Sequence, residues 1–260
     1  MIFYLSCTGN TLWAARQISE ATGDALYDIA AVADKPCTYS VQENERIGFC
    51  FPVHGWRPPV LVRDFIRRLH IEHAGGHFCW ALCTAGDDIG ETIELLESDL
   101  RTIGLRVDSA FSLLMPESYV GLPFMDVDKP ERERQKKEQA QADLQAAIHH
   151  IASCHRGERH LHLSHWPRTN SRFLGAIFVK WLLTDSPFRV DENRCTRCGR
   201  CMKSCPVGNI QPGESGTPEW QHNGRCLSCF ACYHHCPVRA IEYGRRTRGK
   251  GQYYFEKDHH

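Results

Sequence analysis

A parallel α/β sheet covered by helices on both faces, joined to a small cysteine-bound α+β unit, is the fold class this sequence predicts. Three observations carry it. Short apolar segments alternate with segments of helical spacing through the first 155 residues. Turns rich in Gly, Ser and Thr follow several of the apolar segments. Eight of the 14 cysteines fall in two similar runs between 195 and 236. Strands alternating with helices imply a parallel sheet, because each crossover lays a helix on one face.

Taken in order, residues 1–6 (MIFYLS) read as a strand, and 11–22 as a helix with Leu12, Ala15, Ile18 and Ser19 at helical spacing. Residues 25–30 are a second strand. The run RIGFCFPV, 46–53, is a third, apolar enough to be buried on both faces. A helix over 59–69 opens at a proline. Strand four covers 77–86, and a helix over 91–104 ends at Gly104. Strand five covers 108–116. The long helix 130–152 carries Pro130 in its first turn and Asp128 as a candidate cap. Five strands therefore build the expected sheet.

At 260 residues the chain is long enough for two domains. Composition is that of a globular protein, and no apolar run is long enough to span a bilayer. Formal net charge is zero but unevenly placed: residues 1–155 hold 14 basic and 22 acidic side chains, residues 186–260 hold 12 and 7. Screening weakens surface charge pairs, so solvated faces explain this balance better than docking of opposite charge does. The N-terminus MIFYLSCTGN lacks the basic, apolar and small-residue regions of an export signal, so a cytoplasmic protein with reduced thiols is expected.

Disulfides, zinc and iron–sulfur clusters are the three uses of such cysteines. The expected compartment disfavours disulfides. Zinc knuckles usually pair two C-x-x-C units across a longer loop. Here CTRCGRCMKSCP (195–206) and CLSCFACYHHCP (226–237) each follow C-x2-C-x2-C-x3-C-P. That spacing lets three thiolates wrap one face of a four-iron cubane, while the proline turns the chain away after the fourth. The stretch 186–245 resembles the bacterial two-cluster ferredoxins. The resemblance implies that the fourth cysteine of each run serves the other cluster. Cys195, Cys198, Cys201 and Cys236 would then hold one [4Fe-4S] cluster, and Cys226, Cys229, Cys232 and Cys205 the second.

The first strand ends in SCTGNT. Ser6, Thr8 and Thr11 offer hydroxyls, Asn10 an amide, Gly9 a close turn, and a helix starts at once. Helix N–H groups and the positive end of its dipole then meet at one spot suited to a phosphate. The plain alternative is a polar turn with a capping residue. The loop has neither the G-K-[ST] of a P-loop nor the G-x-G-x-x-G of a dinucleotide fold. It resembles the flavodoxin phosphate loop T/S-x-T-G-N-T. That resemblance implies FMN, with ring-flanking loops after strands three and four. Pro52, Val53, His54, Gly55 and Trp56 occupy the first, with Trp56 able to stack on the ring. Thr84, Ala85, Gly86, Asp87, Asp88 and Gly90 occupy the second. No aromatic stands in the second loop, so one ring face is expected to be open. Cys7 completes the phosphate loop and is expected to pack, as are Cys37, Cys50, Cys79, Cys83 and Cys154. Asp88 and Asp87 could tune the flavin or cap the next helix.

As a whole the chain resembles the flavodoxin–ferredoxin fusion proteins of anaerobic bacteria and archaea. The expected units are an FMN-binding domain over 1–155, a helical linker over 156–185 and a two-cluster domain with a basic tail over 186–260. The resemblance implies low-potential electron transfer with redox proteins as partners. A reductase with its own small-molecule oxidant and an iron–sulfur protein with a flavin-free docking domain are the alternatives. No triad, Walker motif or paired catalytic carboxylates stand out, so no catalytic residue is assigned. The tail GRRTRGKG (244–251) reads as a mobile basic segment able to steer an acidic partner; it lacks the stacking aromatics of a nucleic-acid site. Phe173, Leu174, Ile177, Phe178, Trp181 and Leu182 form an apolar stripe expected to pack between the domains. The histidines of 149–166 are spaced irregularly and read as a solvated linker with no carboxylate partner.

Overall fold

Every strand of the main sheet runs parallel, in the order β2-β1-β4-β6-β7-β8. The computed structural model describes residues 1–32, 35 and 37–255. The closing Asp-His-His lies outside the described residues. The first five sheet strands, β1 (Ile2–Tyr4), β2 (Leu26–Asp28), β4 (Ile47–Pro52), β6 (Cys79–Ala85) and β7 (Ser109–Leu114), fall within the five expected segments. Between them lie α1 (Asn10–Thr22), α2 (Val60–Arg68) and α3 (Thr92–Arg101), and α4 (Pro130–Ala152) follows. Taken in chain order, these five strands stand 2-1-3-4-5, the doubly wound order of flavodoxin-like sheets.

Three strands were not expected. β3 (Cys37–Ser40) and β5 (Leu69–Glu72) form a separate parallel pair, and β8 (Arg159–His160) adds a sixth, two-residue edge beside β7. β8 is too short to show an alternation, and β5 follows directly on the helical run of α2.

Alternation along the central strands separates two cores. Phe3, Phe49, Phe51 and Ala81 point to one face, where Phe65 of α2 and Leu96 of α3 meet them. Ile2, Cys50, Trp80 and Leu82 point to the other, against Ile18 of α1 and Leu144 and Ile151 of α4. Cys37, Cys50, Cys79 and Cys83 are buried, as small apolar residues would be, while Cys154 is exposed. Among the described residues no helix is long and apolar enough to cross a membrane.

The C-terminal part is made of small pieces. β9 (Phe188–Val190) pairs antiparallel with β12 (Ile241–Tyr243), and β10 (Ile210–Pro212) with β11 (Pro218–Trp220). Two four-residue helices, α6 (Arg200–Lys203) and α7 (Ala231–His234), carry the cysteine runs. The repeat seen in sequence returns in the backbone at a spacing of 31. Left-handed φ occurs at Arg197 and Ser228, at Gly199 and Phe230, and at Gly208 and Arg239.

Two expectations are overturned between the domains. The linker helix runs from Thr169–Leu174 through α5 (Gly175–Ile177) to Phe178–Leu182, its two outer segments in π form. Its small residues face the sheet domain: Ser171 is fully buried and donates to the Trp56 carbonyl at 2.7 Å. Gly175 sits so close to the Gly55 carbonyl that a Cβ would strike it. Close approach on that face turns Phe173, Leu174, Ile177 and Trp181 outward, so most of the apolar stripe is exposed. The basic tail is docked, not mobile. Lys250 is buried, and its Nζ donates to the carbonyls of Val120, Leu122 and Met125. Beyond it, Tyr253 Oη donates to Asn10 Oδ1 at 2.6 Å, and Phe255 stacks on Trp13.

Candidate cofactor cleft and cysteine sites

A cleft of about 1210 Å³, its open mouth included, lies at the carboxyl ends of β1, β4, β6 and β7. This is where doubly wound sheets bind ligands, beside the reversal of strand order. Its walls include Ser6, Cys7, Thr8, Asn10 and Thr11 from the first loop and Pro52, Val53, His54, Gly55 and Trp56 from the second. Thr84, Ala85, Gly86, Asp87 and Asp88 come from the third. Gly9 and Gly90 are outside the lining. Gly9 has φ 93°, and a Cβ there would lie 2.9 Å from Phe255, so the tail's approach requires glycine. Gly90 is packed against Ser171 and Trp56.

The loop residues divide into holders and free donors. Leu12 N–H donates to Ser6 Oγ at 3.2 Å, and Thr11 Oγ1 shares a 2.8 Å bond with Thr84 Oγ1. Asn10 donates to the Pro116 carbonyl and accepts from Tyr253. The N–H groups of the first turn of α1 have no carbonyl four residues back. The set is neutral and rich in donors, which fits a phosphate without lysine or arginine.

Trp56 Nε1 donates to Asp88 Oδ2 at 3.0 Å, and Asp88 Oδ1 accepts from Gly90 N–H. Asp88 thus ties the second loop to the third. His54 is enclosed by cleft atoms, and desolvation lowers its pKa to about 4, so the ring is neutral at pH 7. Gly55 has φ 56°, and a Cβ on it would lie 2.6 Å from Phe178.

Several cleft residues were not expected there from the sequence. Glu117, Ser118 and Tyr119 arrive from the loop after β7, Phe178 from the linker helix, and Leu227, Ser228 and Cys229 from the second cysteine run. The aromatic missing from the third loop is supplied by Tyr119 and Phe178, whose rings meet edge-on at 5.4 Å. Burial raises the pKa of Glu117, while its Oε1 accepts from the N–H groups of Ser118 and Tyr119.

Each group of cysteines surrounds its own cavity. One of about 350 Å³ is lined by Cys195, Cys198, Cys201 and Cys236. The other, about 320 Å³, is lined by Cys226, Cys229, Cys232 and Cys205. The fourth cysteine of each run thus stands with the three of the other. Backbone N–H groups point at the sulfurs in matching places: Asn209 to Cys205 at 3.3 Å and Ala240 to Cys236 at 3.2 Å. Burial pushes Cys201 to about 11 and Cys226 to about 12, so bare thiols would stay protonated there. A cation that takes the proton's place fits both donor sets, and iron–sulfur clusters are bound by such thiolates.

The cleft and the second cavity share a wall. Cys229 lines both. Cys7, from the phosphate loop, is a close neighbour of Cys229; that neighbour and burial raise the Cys7 pKa, while Cys229 is held low beside Cys7. Docking is secured by apolar packing and by hydrogen bonds, those of the Lys250 ammonium included. His234 Nε2 bonds the Ser118 carbonyl at 2.7 Å, and Leu227 and Val207 enter the core beneath α2 and α3.

Residues 188–237 match the family model of the 4Fe-4S dicluster domain, which marks this part as an iron–sulfur domain. With the strand order of the first half, it fits a flavodoxin–ferredoxin architecture. No curated protein matches the chain. Among solved structures it is similar to the azoreductase AzrA, at 12% identity and a TM-score of 0.36, over 58% of this chain and 99% of that one. An azoreductase from Bacillus anthracis str. Sterne gives 10%, 0.35, 58% and 98%. The rubredoxin oxygen:oxidoreductase of the anaerobe Desulfovibrio gigas gives 18% and 0.31 over 58% of this chain, which spans 36% of its length.

Proposed function

We propose that the chain is an electron carrier in which FMN, held in the cleft, exchanges electrons with two [4Fe-4S] clusters held by the eight cysteines. The observation that carries this reading is the shared wall: Cys229 belongs both to a cysteine site and to the cleft, which Cys7 also lines. When bound, the flavin supplies interchange between paired and single electrons, and the clusters supply single-electron transfer.

The chain's own residues have distinct tasks. Thr8 and the first turn of α1 hold the phosphate by neutral donors. Trp56, fixed by Asp88, presents an aromatic wall. His54 stays neutral and adds no charge to the cleft, and Glu117, its pKa raised by burial, stands beside Gly86. Cys7 stands beside a cluster ligand, where its thiol can adjust the surroundings of the cluster. Tyr119, Phe178 and Leu227 keep water from the boundary between the two centres. Ligand exchange between the runs ties the small domain together.

A reductase acting on a small molecule is the second reading. The apolar outer wall formed by Leu122, Met125 and Phe178 favours it, because it extends beyond the polar loops. Anaerobic isolation with cofactor analysis is the first test: FMN and about eight irons per chain are expected. Protein free of flavin, or carrying stoichiometric zinc in place of iron, overturns the reading. Stopped-flow mixing with a one-electron donor then separates cluster bleaching from flavin reduction. Replacing Cys226 by serine should abolish prompt flavin reduction while FMN stays bound. Undiminished flavin reduction in that variant would sink internal transfer. Catalytic reoxidation by a small molecule that competes beside Trp56 would favour the reductase.

A further inference from the structure

We propose that His150, Glu158 and His160 form a binding site for a divalent transition-metal ion of the zinc class, separate from the cysteine sites. His150 stands in the last turn of α4, His160 on the edge strand β8, and Glu158 just before it. One ligand atom from each lies within 4.8 Å of the others. Glu158 Oε2 is 3.1 Å from His160 Nε2, and Glu158 Oε1 is 3.8 Å from His150 Nδ1. Ligands at zinc's bond lengths of about 2.0–2.1 Å on a tetrahedron stand about 3.3 Å apart. The two separations run to different oxygens of the Glu158 carboxylate, so rotation of the carboxylate and of the two rings is what closes the set on one ion.

The surroundings hold this geometry. The His150 and His160 rings stack at 5.2 Å, and Phe111 of β7 lies against His160 at 5.8 Å and 10° between planes. His155 Nδ1 comes within 3.3 Å of His150 Nδ1, a neighbour able to orient that ring or to join it. The adjacent cations are engaged elsewhere. Arg156 pairs with Asp108 and Arg159 with Glu97, which leaves Glu158 to the imidazoles. His150 and Glu158 are half-buried and His160 is exposed, so an ion can enter and keep a position open to water.

Imidazole and carboxylate suit zinc, copper, nickel and iron better than magnesium or calcium. A metal here would clamp a two-residue strand to the end of a 23-residue helix. It would act where the chain leaves the sheet for the linker helix. The ligands come from three places in the chain at gaps of eight and two residues, which is why their spacing shows no motif.

The test uses the full chain, purified anaerobically with its visible chromophore intact and dialysed against chelator. Calorimetric titration with Zn²⁺ should give one saturable site in addition to the resident metals, with iron content unchanged by elemental analysis. His160→Ala and Glu158→Gln should each weaken it by about tenfold or more, while His165→Ala should not. Zn²⁺ should raise the thermal midpoint of the parent and leave that of the double variant unmoved. No saturable binding overturns the proposal. So does binding that the double variant keeps, or zinc uptake matched by loss of iron, which would place the ion among the cysteines.

Discussion

The sheet domain buries Phe3, Phe49, Phe51, Trp80 and Phe111 almost completely across two opposed cores. The dicluster domain has four strands of three residues and two helices of four. Its core of Phe188, Trp220, Phe230 and Tyr243 is one cluster of stacked and edge-on rings. One half rests on apolar area buried by long-range strand pairing. The other has too little, and its cysteine sites must make up the difference. The contrast suggests that a small domain can be ordered by its metals and still be aimed by a larger neighbour. Each prediction below strains one side of it.

The largest effect is expected from stripping the clusters with an iron chelator and oxidant. Residues 188–243 should lose hydrogen-exchange protection throughout, while the β1, β4 and β6 amides keep theirs. Circular dichroism should fall only in part. Collapse of both halves together would show that the sheet domain depends on the cluster domain for its fold.

Much of this contrast was legible in the sequence, for a physical reason. A four-iron site takes its ligands from adjacent residues, so its chemistry is written as spacing. Strand and helix alternation likewise gave five strands of the main sheet in place. The cleft's outer wall was not legible, because Glu117 and Tyr119 come from a loop with no local period, and the patterns that hold Phe178 and Cys229 do not show that they meet the cleft. The linker stripe misled because periodicity shows which residues share a helix face, not which face is buried. Ser171 and Gly175 won that face by fitting against the Gly55 and Trp56 carbonyls. Glu158 sits inside the histidine-rich stretch and is close to two imidazoles only after folding.

The join between the halves is the next target. Lys250 Nζ bonds three carbonyls of the loop 120–125. Lys250→Met should destabilise the protein by about 2–4 kcal/mol, since hydrogen bonds to a charged donor are worth about 1.5–3 kcal/mol each and water repays part of the loss. Arg248→Ala, at an exposed position of the same tail, should change stability little. Matching urea midpoints for the two variants would return the tail to the status of a solvated arm.

A third effect is confined to the sheet domain's cleft and depends on pH. The folded pKa of His54 is lowered to about 4 from an ordinary 6.5. Between those values the unfolded chain binds a proton that the folded protein does not, so stability falls as pH drops through the window. The share from His54 is at most about 3 kcal/mol by the usual conversion of 1.36 kcal/mol per unit. His54→Gln should therefore shrink the difference in urea midpoint between pH 7 and pH 4.5. An unchanged difference would mean that the ring protonates freely in the fold.

The smallest expected effect separates two threonines that the motif treats alike. Thr11 Oγ1 is already bonded to Thr84 Oγ1 and so links α1 to β6. Thr8 is 6% exposed, lines the cleft, and has no such side-chain bond in the described structure. Thr8→Ala should weaken FMN by about 1–2 kcal/mol, since a hydrogen bond to a charged group is worth about 1.5–3 kcal/mol and water repays part of the loss. Riboflavin, which lacks the phosphate, should bind that variant as it binds the parent. Thr11→Ala should weaken both ligands to a similar extent, because its hydroxyl holds the loop instead of a ligand. Fluorescence titration of the dialysed chain with each flavin gives the comparison. Equal losses from Thr8→Ala would make this loop a scaffold and move the phosphate elsewhere in the cleft. A phosphate-specific loss from Thr11→Ala alone would mean that the bond to Thr84 opens on binding, and that the sheet domain is less rigid at its cleft than its buried core suggests.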